Sequence, residues 1–113
     1  MPTALRANPR VAAISENGRV GVLATPATVA SGAYRDALDA AGRPLTVTEV
    51  SAPDLASLIQ VDLSFDDELI DAVRGHCAPL KEAGVDTLIL GCTHYPLIAP
   101  AIQRILGRDV RLV

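Results

Sequence analysis

Near its carboxyl end the chain reads Val85-Asp86-Thr87-Leu88-Ile89-Leu90-Gly91-Cys92-Thr93-His94-Tyr95-Pro96. Residues 85–90 are mostly apolar, which is typical of a strand covered by helices on both faces, as parallel strands are. The glycine and the polar residues after it end the apolar run, and a proline is favoured in the first turn of a helix. This stretch therefore predicts a strand, a turn and a helix of an α/β protein.

A second unit of the same kind precedes it. Residues 20–24 form an apolar run, Thr25 is suited to the N-cap of a helix, and Pro26 is suited to its first position. Apolar residues then recur at helical spacing until Gly42, where we expect the helix to end. The pattern predicts another strand-turn-helix unit.

The remaining elements complete an α/β order. A β-branched strand is predicted over 45–50, and a helix with an apolar face is predicted to end at Gly84. Because parallel neighbours need crossovers, this order predicts a three-layer α/β domain: about four parallel strands with helices on both faces. The other predicted elements are a short helix over 9–14, a helical turn over 54–59, a helix within 96–106 and a strand from Val110.

Length and composition narrow the function classes. The 113 residues are one domain's worth, and ten basic against thirteen acidic residues give a net charge of −3. Three aromatic residues and no basic stripe argue against a nucleic-acid module. Two cysteines and no apolar leader predict a reducing, cytoplasmic setting, and no apolar run approaches the roughly 20 residues of a membrane span.

Candidate site residues follow the first and third predicted strands. Ligands of parallel sheets collect beyond the carboxyl ends of the strands, where turns lead into helix N-termini. The first turn carries Thr25 and Thr28, and the other carries Cys92, Thr93 and His94. For the two threonines of the first turn the pattern leaves a simpler alternative open, in which one only caps the helix and the other only fills its first turn.

Cys92 has the more informative position. A thiol at a helix N-terminus favours the thiolate, so Cys92 is a candidate nucleophile or base, with His94 relaying its proton. A buried structural cysteine remains the alternative. Cys77 falls on the apolar face of its helix and is predicted to pack in the core, with His76 at or near the surface. Zinc binding by these four residues is disfavoured, because neither pair has the spacing of a structural zinc site.

Residues 21–34 and 83–96 closely resemble the second domain of bacterial glutamate racemases, which have flavodoxin-like domains. The most specific part is the motif Gly91-Cys92-Thr93-His94-Tyr95-Pro96. Within the aspartate/glutamate racemase superfamily, aspartate racemases tend to carry Glu where His94 stands. The resemblance therefore favours glutamate as the substrate.

The resemblance implies interconversion of L- and D-glutamate without a cofactor or a metal, supplying D-glutamate for peptidoglycan. Two cysteines on opposite faces of the substrate α-carbon alternate as base and acid in that family. By resemblance Cys92 is one of the two, Thr93 binds substrate and His94 assists Cys92. Thr25 and Thr28 match family threonines that line the substrate site.

Two family motifs have no counterpart here: an N-terminal Asp-Ser-Gly turn and an Ala-Cys-Asn-Thr segment that carries the opposing cysteine. We therefore expect a truncated racemase, residues 1–113 being its second domain, without the N-terminal domain and the C-terminal end, and inactive alone. Alternatives are an aspartate or hydantoin racemase domain and a non-catalytic binding module. A homo-oligomer that sets two copies of Cys92 across one cleft is a further possibility.

Overall fold

A computed structural model describes residues 15–39, 44–55, 58–59, 67–92 and 94–113 of the chain. The predicted helix over 9–14, the predicted helix end at Gly42 and the candidate residue Thr93 lie outside the described residues. Of the helices described, none is long and apolar enough to cross a membrane. The strands are β1 (Arg19–Ala24), β2 (Thr46–Ser51), β3 (Thr87–Leu90) and β4 (Arg111–Leu112). The helices are α1 (Pro26–Ser31), α2 (Ala33–Asp39), α3 (Asp67–Ala83), a 3-10 helix (Tyr95–Ile98) and α4 (Ala99–Leu106).

The four described strands form one parallel sheet in the order β2-β1-β3-β4. In register, Val22 of β1 lies beside Glu49 of β2 and beside Ile89 of β3. The chain first builds outward from β1 to β2 and then crosses back to add β3 and β4 on the other side. The order of the strands therefore reverses between β1 and β3, and ligands of doubly wound sheets bind at such a point.

Both faces of the sheet are covered, as the apolar strands require. Val22 and Ile89 face α1 and α2, whereas Leu23 and Leu88 face α3, α4 and the 3-10 helix. Alternate residues of one strand point to opposite faces, so a strand buried on both sides is apolar over most of its length. The predicted three-layer α/β fold is confirmed.

Helix α3 packs on the sheet through the apolar stripe that its sequence predicts. Its buried residues are Leu69, Val73, Cys77 and Leu80, spaced by three or four positions so that they share one side of the helix. The helix ends before Gly84, as predicted. It packs closely on Gly21 of β1, where an added Cβ would lie 2.7 Å from Leu80 Cδ2.

The prediction of a single helix after β1 is wrong in one respect, because the structure has two helices there, α1 and α2. Gly32 separates the two at φ +70° and donates its N–H to Val29 O at 3.1 Å. Only glycine adopts this left-handed conformation without a steric penalty. The apolar spacing continues across the break, because Tyr34, Ala37 and Leu38 of α2 are buried.

Asp86 joins the segment before β1 to the start of β3. Its carboxylate accepts hydrogen bonds from Ser15 Oγ at 2.7 Å and from the backbone N–H groups of Glu16 and Asn17 at 2.7 and 2.9 Å. Partial burial opposes ionisation of Asp86, but these bonds together with one from Thr87 Oγ1 outweigh it and hold the pKa of the carboxyl below 3.8. The ionised carboxylate is thus part of the folded structure.

We expect Asp86→Asn to lower the free energy of unfolding at neutral pH by about 1 to 3 kcal/mol, because its amide N–H₂ cannot accept these bonds. A carboxyl whose pKa is lower in the folded state stabilises the protein above its unfolded pKa, and this stabilisation is lost as pH falls through the folded pKa. Urea unfolding at acid and neutral pH should therefore show that the variant loses less free energy of unfolding on acidification than the wild type does. The exposed Asp109→Asn is the control. Equal unfolding free energies for Asp86→Asn and the wild type at neutral pH would contradict the prediction.

Candidate active site

The turns after β1 and β3 lie side by side at the carboxyl end of the sheet. Gly91 donates its N–H to Leu23 O at 2.8 Å, beyond the last ladder pair of β1 and β3. A Cβ added to Gly91 would lie 2.9 Å from Ala24 Cβ and 3.2 Å from Leu23 O. The absence of a side chain at Gly91 therefore allows the two turns to approach this closely.

The first turn presents a pair of threonine hydroxyls. Thr25 Oγ1 and Thr28 Oγ1 are 3.0 Å apart, and both residues are half-buried. Thr25 occupies the N-cap position of α1, but its side chain makes no capping hydrogen bond. The predicted N-cap position of Thr25 and the place of Pro26 in the first turn are confirmed, and the two hydroxyls bond to each other at the end of β1.

Cys92 begins the other turn. Its Sγ lies 3.6 Å from His94 Nδ1, so the thiol and the imidazole form a hydrogen bond whose direction depends on the protonation of the ring. Both residues are half-buried, which leaves the sulfur between the core and solvent. A thiol beside an imidazole can lose and regain its proton locally, which acid/base catalysis requires.

The expectation that Cys92 stands at the N-terminus of an α-helix is wrong, because a 3-10 helix follows the turn and α4 begins only at Ala99. The reason lies in two prolines. Pro96 has no N–H to donate to Cys92 O, which accepts from Tyr95 N–H at 3.1 Å. Pro100 has none for Pro96 O, which accepts from Ala99 N–H instead. A thiolate at Cys92 would therefore be stabilised by neighbouring side chains more than by the dipole of an α-helix.

Cys77 is confirmed as a core residue. It is fully buried on α3, and burial raises the pKa of its thiol to about 11. Its neighbour His76 is partly buried and forms a 2.9 Å contact between Nε2 and Asp54 Oδ1. This hydrogen bond to His76 lowers the pKa of Asp54. Cys92 is therefore the one thiol of the two that has access to a ligand.

Sequence reasoning missed Tyr95. Its side chain is fully buried, and its hydroxyl has no hydrogen-bond partner among the described residues. Burial raises the pKa of Tyr95 to about 12, with further contributions from the nearby negative charges of Cys92 and Asp54. The sequence shows that this tyrosine follows β3 closely, between a histidine and a proline. Nothing in the sequence shows that its ring points into the core.

Metal ligation receives no support from the side chains that the structure describes. Within residues 15–39, 44–55, 58–59, 67–92 and 94–113, no three His, Cys, Asp or Glu side chains gather where they could hold an ion. Two surface grooves lie away from Cys92. One, of about 570 Å³, runs between α3 and α4, and the other, of about 690 Å³, lies near Asp86 and β4.

Fold and site together define a doubly wound α/β domain with a thiol, an imidazole and two hydroxyls at the point where the strand order reverses. The sequence matches the family described as Asp/Glu/Hydantoin racemase over residues 7–113. The chain belongs to this family, as the resemblance of its two turns predicts.

Named relatives are glutamate racemases. The chain is 43% identical over 104 residues to the glutamate racemase of Mycobacterium leprae, covering 92% of this chain and 38% of the relative. Glutamate racemase isoform RacE1 from Bacillus anthracis superposes with a TM-score of 0.87 at 34% identity, over 97% of this chain and 40% of that one. The Francisella tularensis enzyme, solved in complex with D-glutamate, gives 0.85 at 29% identity over the same shares. The chain thus spans about two fifths of the length of the relatives it matches.

The close approach at Gly91 can be tested by adding one methyl group. We expect Gly91→Ala to lower the free energy of unfolding by about 1 to 3 kcal/mol, because its Cβ would meet Ala24 and the backbone of Leu23. Gly75→Ala is the matched control, since nothing lies within 4 Å of its Cβ, and it should add up to about 1 kcal/mol of helix stability. Urea denaturation measures both, and a Gly91→Ala variant as stable as the wild type would show that the turns are not tightly apposed.

The two cysteines should differ in reactivity. In the folded chain we expect a thiol reagent such as a chromogenic aromatic disulfide to modify Cys92 and leave buried Cys77 unmodified. Denaturant should expose the second thiol. Cys92→Ala should abolish the reaction of the folded chain, whereas Cys77→Ala should preserve it. Rapid modification of both cysteines under native conditions would contradict this placement.

Proposed function

We propose that this chain is the half of a glutamate racemase that carries one of the two acid/base cysteines, and that Cys92 is that cysteine. The observation that carries the proposal is the contact between Cys92 Sγ and His94 Nδ1, at the reversal of strand order in a chain of this family. The opposing cysteine would come from outside this chain, because Cys77 is buried in the core.

The reaction requires removal of a very weakly acidic proton. A thiolate at Cys92 takes the α-proton of one enantiomer, and the electron pair of the broken C–H bond remains on the α-carbon. The opposing thiol then delivers its proton to the other face, which gives the mirror-image amino acid and a thiolate on that side. The protons balance over one turnover without an oxidant or a cofactor, and His94 stabilises whichever protonation state Cys92 holds.

The two turns supply what the substrate needs besides the base. One of the paired hydroxyls of Thr25 and Thr28 donates to the other, so the pair has one O–H left to donate to a substrate carboxylate, and Thr93 is proposed as a further polar contact. Hydrogen bonds to the carboxylate stabilise the negative charge that develops beside it as the proton leaves. Glutamate is the proposed substrate, which the D-glutamate complex of the Francisella tularensis relative supports.

The proposal also includes a role for the enzyme in the cell. A glutamate racemase without a cofactor would supply D-glutamate for peptidoglycan from the cytoplasm, where L-glutamate is available. Alone the chain would be inactive, because a single acid/base group can exchange a proton on only one face of the α-carbon. A second copy facing the first across a cleft, with the contact of a twofold pair, would be one way to supply the opposing thiol.

A chimaera provides the direct test. The matched 104 residues of the Mycobacterium leprae enzyme would be replaced by the corresponding residues of this chain. We expect this chimaera to racemise glutamate, and circular dichroism measures the reaction starting from each enantiomer. Aspartate and hydantoins should be poor substrates. Cys92→Ala should lower kcat by roughly 10²- to 10⁴-fold, the range lost with a general acid or base.

Cys77→Ala is the matched control, because it also removes one thiol of the chain but from the core. It should retain kcat, with a loss of stability only. Undiminished racemisation by the Cys92→Ala chimaera would refute the role of Cys92, and a folded chimaera inactive on glutamate would refute the substrate. Preference for aspartate or a hydantoin would assign the chain to another branch of the family.

A further inference from the structure

The groove between α3 and α4 combines positive charge with an apolar lining. Its cations are Arg74 and Lys81 of α3 and Arg104 of α4. Aliphatic side chains complete the lining: Ile70, Ala78, Ala101 and Ile105. None of the lining residues in the described part of the chain is Asp or Glu, although the chain has thirteen acidic and ten basic residues. The groove therefore suits a surface that carries carboxylates beside small or apolar residues.

The other side of α3 supplies carboxylates of this kind. With 3.6 residues per turn, positions 67, 71 and 82 share one stripe of the helix, and positions 70, 74 and 81 share the stripe next to it. The first stripe is an acidic flank made of Asp67, Asp71 and Glu82, all exposed. The second, with Arg104 of α4, is a basic flank and faces the groove. The exposed surface of α3 is thus divided lengthwise by charge.

Interactions within the chain do not account for this division. The helix dipole favours acids in the first turn and bases in the last, which explains Asp67 but not Glu82 at the opposite end. Arg74 Nη1 lies 3.7 Å from Asp71 Oδ1, but the two side chains are 67% and 76% exposed, and ion pairs so exposed contribute little. Lys81 and Arg104 form no ion pair with any described residue. The flanks therefore keep their charge for a partner.

We propose that this face binds a second copy of the chain about a twofold axis parallel to α3. Such an axis, passing beside Ala78, lays the basic flank of each copy on the acidic flank of the other. Lys81 then faces Glu82 of the second copy, and Arg74 faces its Asp71. Because the contact is isologous, each pair occurs twice. The small side chain of Ala78, between the flanks, allows the two helices to approach.

The proposed contact leaves the sheet edge with Cys92 open, because that edge contributes no residue to the groove. Helix α3 has 17 residues and is about 25 Å long, and two neighbouring helices are about 20 Å wide. The face thus offers roughly 500 Å² per copy, less than the ~800 Å² of a standard interface, so the dimer is weak. Since its charges are exposed, rising ionic strength weakens it further. The proposal does not depend on the proposed function.

Complementary charge reversals test the contact. Sedimentation equilibrium of the wild type at low ionic strength, from about 10 μM to about 1 mM, should show a monomer becoming a dimer. Lys81→Glu makes both flanks acidic and Glu82→Lys makes both basic, so each variant alone should dimerise with a Kd at least about tenfold higher. An equimolar mixture of the two variants should dimerise with a Kd within about threefold of the wild type, because acidic flanks then meet basic ones.

Asp39→Lys is the matched control. It changes the charge by the same amount as Glu82→Lys, but on α2, which packs on the opposite face of the sheet. Its Kd should equal that of the wild type. Far-UV circular dichroism checks that every variant folds. A loss of folding cannot produce the recovery expected of the mixture.

A wild type that stays monomeric up to about 1 mM overturns the proposal, and the charge pattern then has no partner of this kind. A dimer that is indifferent to both reversals, or a mixture no better than its components, also overturns it. Amide shifts on dilution locate the contact independently, and we expect them over 67–82 and 101–105. Shifts confined to the turns at 25–28 and 91–95 would assign the dimer to the edge with Cys92 and overturn the proposal.

Discussion

The hydrogen bond from Gly91 N–H to Leu23 O is the contact on which the arrangement of the site depends. It continues the pairing of β1 and β3 beyond their last ladder pair and brings the two following turns together. With any side chain at position 91, the Cβ would meet Ala24 and Leu23, and the turns would have to separate. The paired threonine hydroxyls and the thiol share one edge of the sheet because this contact exists.

Buried strands explain how much of the fold could be predicted. The apolar runs at 20–24 and 88–90 are continuous because helices cover both faces, and that pattern alone predicts a parallel sheet with two layers of helices. The break at Gly32 could not be predicted from the apolar spacing, since that spacing continues from α1 into α2. Whether a glycine within a helical pattern continues the helix or ends it depends on contacts made elsewhere in the fold.

The candidate site divides in a similar way. Thr25, Thr28, Cys92 and His94 could be found because they are polar residues directly after apolar strands, where a parallel sheet opens to ligands. The 3-10 helix after Cys92 follows from the missing N–H groups of Pro96 and Pro100, a consequence that the sequence contains but the helical pattern conceals. The core position of Tyr95 and the carboxylate network of Asp86 depend on distant contacts, which no local pattern reveals.

Among these features the half-buried thiol has the central role in the account. Cys92 differs from Cys77 in exposure and in having an imidazole within hydrogen-bond distance of its sulfur. The difference arises from position, because one residue lies in the turn after a strand and the other faces the core from a helix. The same edge of the sheet also carries the threonines that are proposed to contact the substrate. In this proposal, ligand recognition and proton transfer share one small surface.

Titration of the isotopically labelled chain with L- and D-glutamate tests this claim most directly. Amide chemical shifts, recorded by ¹H–¹⁵N correlation spectra up to the solubility limit of the amino acid, report which residues meet the ligand. The account predicts shifts confined to the turns at 25–28 and 91–95, reduced in Thr25→Val, which keeps the shape of the side chain and removes the hydroxyl. Shifts in the groove between α3 and α4, or no shifts at all, would contradict it.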